Sequence, residues 1–109
     1  MVMRMDHRRQ RPVPPHLLVF RGFCKQWAQQ TEDWKKELLS AIDVAADLGM
    51  EVDTVRKAAR KLTKMGWLRL NCISLRGDVQ KFRVCKGYAI TDEGVETEIF
   101  REEIGDRRF

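Results

Sequence analysis

A small residue, a glycine and a β-branched residue, Ala45, Gly49 and Val55, are spaced four and six apart within the run Ser40 to Leu68, SAIDVAADLGMEVDTVRKAARKLTKMGWL. Two short helices that cross steeply need a small side chain where they touch, and Ala45 supplies it. Gly49 is placed to end the first helix in the left-handed conformation that costs glycine almost nothing. Val55, on the first turn of the next helix, then fills the space that Ala45 leaves. The helix ends agree with this placement. Ser40 is an N-cap, Asp43 three residues on can return the bond as in a capping box, and Leu39 can staple onto Val44. After Gly49, Met50 and Val55 stand as a second staple, with Glu51 in the cap position, tolerated there through the helix dipole.

The segment resembles a helix-turn-helix, whose second helix lies in the DNA major groove; an ordinary helical hairpin is the plainer alternative. Projected at about 100° per residue, the second helix, 52–65, has Val55, Ala58, Ala59, Leu62 and Met65 on one face. Asp53, Lys57, Arg60 and Lys64 lie opposite, flanked by Arg56 and Lys61. A stripe of lysines and arginines is on its own no more than a solvated surface. Here it falls on the helix that a helix-turn-helix offers to DNA. Val52, Asp53, Thr54, Arg56, Lys57 and Arg60 are therefore the candidates for base edges and flanking phosphates, with Lys61 and Lys64 beside them. Arginine reading guanine and an acid accepting from cytosine are the pairings that give sequence preference.

Gly66 stops that helix, and residues 67–75 then alternate in the period-two manner of a strand. Arg76, Gly77 and Asp78 supply a turn, and a returning strand runs over 79–90, with Gly87 expected to mark a bulge. Arg76, Lys81, Arg83 and Lys86 place charge near the tip and along one side of this hairpin, suited to a phosphate or minor groove. Thr91 is an N-cap, Asp92 and Glu93 suit the positive end of the dipole, and Ile90 with Val95 forms a third staple. A last helix is thus expected from about residue 92, with Val95, Ile99, Phe100 and Ile104 on its apolar side. The string LGMEVDTVRKAARKLTKMGWL, followed by a hairpin and YAITDEGVE, resembles the multiple-antibiotic-resistance-regulator (MarR-type) winged-helix proteins over about residues 38–98. The resemblance implies an α+β winged helix-turn-helix fold, with a three-helix core, a β-hairpin wing at 74–86 and a C-terminal helix. It also implies a DNA-binding transcriptional regulator, a homodimer on a palindromic operator. The Asp-Arg pair common at the wing tip of that family is absent, and the ends are short for its long dimerising helices.

Charge is segregated along the chain. The formal net charge is +5 over 109 residues, and residues 51–69 carry six Lys/Arg against Glu51 and Asp53, whereas 91–109 carry seven acids against three arginines. The positive charge follows the proposed DNA face. Residues 1–14, with Arg4, Arg8, Arg9 and Arg11, read as a flexible basic arm, either a plain tail or a minor-groove contact. The single domain covers 15–109. From Pro14-Pro15 a helix can begin, with Leu17, Phe20, Cys24 and Trp27 on an apolar face flanked by Leu18, Phe23 and Ala28. Part of that face covers the core and the excess is available to a second subunit. Residues 31–39 are ambiguous between a short helix and a strand leading into Ser40.

Catalysis and metal binding find no support in the residue pattern, and neither an enzyme activity nor a cofactor is expected. Cys24, Cys72 and Cys85 are odd in number and lack ligand spacing, so reduced thiols packed in a core are expected. His7 and His16 have no carboxylate or nucleophile pattern near them, and no glycine-rich phosphate loop or membrane-length apolar run is present. Trp27, Trp34 and Trp67 are expected to pack in the core rather than line a ligand pocket. The sequence therefore points to a cytoplasmic, nucleoid-associated protein that binds double-stranded DNA. The alternatives are a winged-helix docking module for an acidic protein partner and a nonspecific architectural binder.

Overall fold

The computed structural model describes residues 13–76 and 82–105, and of 73–76 and 82–84 the backbone alone. The fold is α+β. Among the described residues six helices, α1 (Pro15–Gln29), α2 (Asp33–Lys36), α3 (Ala41–Leu48), α4 (Val52–Lys64), α5 (Asp92–Val95) and α6 (Glu98–Ile104), accompany a hairpin of β1 (Leu68–Arg76) and β2 (Phe82–Ile90). Residues 1–12, which hold most of the expected basic arm, lie outside the described part, as do the turn residues 77–81.

The pair α3–α4 forms where the spacing of small residues places it. Ser40 caps α3, its hydroxyl accepting from the Asp43 N–H at 3.3 Å. The expected return bond from Asp43 is not made. The Ser40 N–H donates instead to the Gln26 side chain of α1 at 2.7 Å, and the Gln26 amide donates back to the Ser40 carbonyl at 3.2 Å. A tertiary contact thus replaces half of the capping box. Gly49 has φ 66°, Met50 N–H donates to the Ala45 carbonyl at 3.0 Å, and Gly49 N–H reaches the Ala46 carbonyl at 3.4 Å. Gly66, with φ 85°, ends α4 the same way, through Trp67 N–H to Leu62 at 3.0 Å and Gly66 N–H to Thr63 at 3.1 Å. Both are Schellman motifs, in which a left-handed residue lets two orphan carbonyls be satisfied. Glu51 stands at the N-cap of α4 but makes no side-chain cap bond.

One core joins these elements. Val44, Ala45, Val55, Ala59 and Leu62 are buried together with Val19, Phe20, Phe23 and Cys24 of α1 and Phe100 and Ile104 of α6. Burying each large apolar side chain stabilises the fold by about 1.5–3 kcal/mol. The aromatic side chains of α1 reach three separate parts of the chain: Phe20 meets Trp67, just before β1, at 5.0 Å, Phe23 meets Tyr88 at 5.4 Å, and Trp27 meets Phe100 at 5.2 Å between ring centroids. Helix α1 is therefore the hub. It comes close to α3 at Gly22, where a Cβ would stand 2.8 Å from Val44 Cγ1. Little of its apolar face is left over, since Leu18 and Ala28 alone of the residues expected there are exposed.

The hairpin is antiparallel with an unbroken register from Leu68 opposite Ile90 to Arg76 opposite Phe82. No bulge occurs at Gly87, which pairs with Asn71. Its lack of a side chain has another cause: a Cβ there would lie 2.7 Å from the backbone carbon of Leu38, which crosses the hairpin at this point. Residues 31–39 resolve their ambiguity by being both things. The short α2 is followed by Leu39, which bridges the free edge of β2 through Leu39 N–H to Tyr88 at 2.7 Å and Tyr88 N–H to Leu39 at 2.8 Å. Glu37 ties the same segment to β1, its carboxylate to Arg69 at 2.6 Å and its carbonyl to the Asn71 amide at 2.8 Å.

The C-terminal part differs from the single helix expected from residue 92. Thr91 caps α5 by accepting from Gly94 N–H at 3.0 Å, but Thr97 then donates to the Gly94 carbonyl at 2.7 Å and caps α6 by accepting from Phe100 N–H at 3.2 Å. One threonine ends the first helix and starts the second, which lets Phe100 and Ile104 turn into the core.

Candidate functional site

The amphipathic division of α4 decides what that helix presents. Val55, Ala58, Ala59 and Leu62 are buried, while Asp53, Thr54, Arg56, Lys57, Arg60, Lys61 and Lys64 are exposed. Val52 differs from the other residues singled out on this helix: it is half-buried and packs against the core. Successive cations at i and i+4, Arg56–Arg60–Lys64 and Lys57–Lys61, stand as neighbours on the helix surface, where each like-charge pair costs a few tenths of a kcal/mol. Among the described residues none of these five is in an ion pair. The carboxylates that are paired lie elsewhere: Glu102 and Glu103 with Arg21 at 3.1 and 3.6 Å, Glu37 with Arg69, Glu96 with Arg101 at 2.8 Å, and Glu32 with Lys35 at 3.9 Å. Thr63, on the same helix, donates inward to the Ala59 carbonyl at 2.8 Å.

A depression flanks α4 on either side. Toward the hairpin, Arg56 lines a groove of about 260 Å³ with Ser40 and Ile42 of the α3 start and with Leu70, Lys86 and Tyr88 of the strands. Ile42 and Leu70 are 57% and 63% exposed there, the two most exposed large apolar side chains among the described residues. Toward α1, Thr54, Lys57 and Lys61 line a cleft of about 280 Å³ with Pro15 and His16. The helical projection accounts for the split. Arg56 and Arg60 turn to the hairpin side at about 100° per residue, and Thr54 and Lys61 to the α1 side, with Asp53, Lys57 and Lys64 toward the crest.

Of the site residues expected on the hairpin, Lys86 is exposed and shares the groove with Arg56. Lys81 lies outside the described residues, and so do the side chains of Arg76 and Arg83, whose backbones pair with Phe82 and Leu75 near the strand ends. His16, which the residue pattern did not single out, stands beside two of the α4 cations. Desolvation, followed by the charge of Lys61, holds its imidazole below the ordinary histidine range.

The cysteines divide three ways. Cys24 is buried, Cys85 half-buried and Cys72 exposed, so the expectation that all three pack in a core fails at Cys72. Cys72 pairs with Lys86, and Cys85 with Ile73, so the two thiols occupy adjacent register positions on opposite faces of the hairpin. Trp27 and Trp67 pack on the core, but Trp34 is 49% exposed, because the one-turn α2 gives it no partner helix to lie against. Among the described residues no group of three or more His, Cys, Asp or Glu side chains is arranged to hold a metal, and no helix is long and apolar enough to cross a membrane. Comparison with protein-family models, with curated proteins and with solved structures gives no match for this chain.

Proposed function

We propose that this chain is a winged helix-turn-helix protein of the MarR-like kind that binds double-stranded DNA with sequence preference and regulates transcription. In this reading α4 enters the major groove and the β1–β2 hairpin serves as the wing. The observation that carries it is the row of five cations on the outward face of α4, none of them in an ion pair among the described residues, continued by Lys86 across the adjoining groove. Such a face is costly to the helix by itself and is relieved by a polyanion, since phosphates lie along both walls of the groove that an α-helix fits. Arg56 and Arg60 lie toward the wing and are assigned to base edges, Lys57, Lys61 and Lys64 to phosphates. Pairing of two copies on a palindromic site belongs to the same proposal through the family resemblance. Most apolar residues of the α1 face are spent on the chain's own core, and Leu18 and Ala28 remain exposed.

Alanine at Arg56 and Arg60 is expected to change which duplex is preferred from a random pool, by about 1–3 kcal/mol per lost bidentate contact, while Lys64→Ala weakens all duplexes alike. Equal weakening of every sequence by all three variants would contradict sequence preference and leave phosphate contact alone.

A second reading is favoured by Ile42 and Leu70, exposed at the groove that Arg56 and Lys86 line. An apolar floor with cationic walls also fits an acidic protein partner. Alanine at Ile42 and Leu70 separates the two: duplex affinity unchanged supports DNA as the ligand, whereas loss of a protein partner's binding with duplex affinity absent supports docking.

A further inference from the structure

We infer that the cleft between α1 and α4 seats one backbone phosphate of the bound nucleic acid and that His16, protonated there, makes the binding pH-dependent. This deepens the DNA-binding reading and rests on it for the source of the phosphate. The cleft is a concave site of about 280 Å³ whose polar lining is Thr54, Lys57, Lys61 and His16. Two ammonium groups, a hydroxyl and an imidazole are the donors that an anion with several oxygens takes. Among the described residues no carboxylate lines the cleft, and the neighbours of His16 one turn along its own helix, Val19 and Phe20, carry no charge.

The sign of the pH effect follows from the charges that face His16. In the free protein, desolvation and Lys61 both favour the neutral ring. A phosphate in the cleft reverses the local field, so the bound state favours the protonated ring. The complex therefore takes up a proton, and affinity rises as pH falls through the imidazole range. A one-unit rise of the His16 pKa on binding corresponds to about tenfold tighter binding below both values than above them.

The test follows the His16 ring by NMR through a pH titration of the full chain. Three conditions are compared: sodium chloride, sodium sulfate at matched ionic strength, and a 20-base-pair duplex. Sulfate stands in for phosphate because it keeps its charge across the range. Expected is a rise of the His16 pKa in sulfate and in duplex relative to chloride, absent in a Lys57→Gln/Lys61→Gln variant. Duplex affinity is expected to depend on pH in the wild type and to lose that dependence in His16→Gln, while His16→Arg keeps the low-pH affinity throughout. If duplex binds and the His16 pKa does not move, or the pH dependence survives His16→Gln, the inference is overturned and DNA binding stands. If no duplex binds while sulfate still raises the His16 pKa, the anion site stands and the DNA reading falls.

Discussion

A methyl group at position 87 has nowhere to go, because the chain at Leu38 crosses the hairpin within 2.8 Å of where it would sit. Gly87→Ala must push away the strand-like bridge of Leu39 to Tyr88, whereas Gly49→Ala meets open space and costs only the left-handed backbone, about 1–2 kcal/mol. Thermal unfolding is expected to rank Gly87→Ala as the more damaging of the two, and the opposite order would show that the 37–39 crossing is loose. Gly49 and Gly66 were legible in the sequence because each follows a helical pattern directly. Gly87 was not, since the atoms that exclude its side chain lie some fifty residues earlier. The cysteines give a second residue-scale prediction. Burial first, then Glu103, raises the Cys24 thiol to about 12 against an ordinary value of 9.0. The folded state therefore keeps a proton that the unfolded chain releases, and this contribution to stability is intact below about pH 9 and declines as pH rises from there to about 12. A thiol reagent on the native protein at pH 8 is expected to label Cys72 first and Cys24 only on unfolding; fast labelling of Cys24 would mean that the α1–α6 packing opens readily.

The helix α4 concentrates the conflict between stability and use. Its core face is buried, and its other face stacks like charges at helical neighbours, at a cost of a few tenths of a kcal/mol for each pair. Lys61→Glu is expected to stabilise the chain by a few tenths of a kcal/mol, because it places a carboxylate beside Lys57 and Lys64, and at the same time to weaken duplex binding several-fold. A loss of both stability and binding would mean that Lys61 holds the fold rather than a ligand. The division of this helix was readable from its 3.6-residue period, since burial follows that period closely. Capping was readable only in part. Ser40 and Thr91 accept the bonds expected of N-caps, yet the partner of the Ser40 N–H is Gln26, on a helix the local pattern does not reach. The break at Thr97 was missed for a related reason. Nothing in the acidic run 92–104 forbids one continuous helix, and at the split Thr97 bonds both helices while Phe100 packs on Trp27.

At the scale of the molecule, α1 joins the cationic helix to the acidic one. It packs on α4 through the core and holds α6 through Arg21 with Glu102 and Glu103 as well as through Trp27 and Phe100. Glu102 and Glu103 of the C-terminal part are thereby engaged with Arg21 of α1, and Glu96 with Arg101, while among the described residues the α4 cations make no ion pair. The segregation of charge was visible in the sequence, as was the α+β order of elements. The two depressions beside α4 were not, because the residues that complete them, His16 in one and Ile42, Leu70 and Lys86 in the other, come from four separate segments. The central claim is that the outward cations of α4 bind duplex phosphates, and the salt dependence of duplex affinity tests it most directly. With about four to six phosphate contacts, log Kobs against log salt is expected to fall with a slope of about −4 to −5, reduced by about one unit in Lys64→Gln. A slope near zero, or a slope that Lys57→Gln and Lys64→Gln leave unchanged, would contradict it.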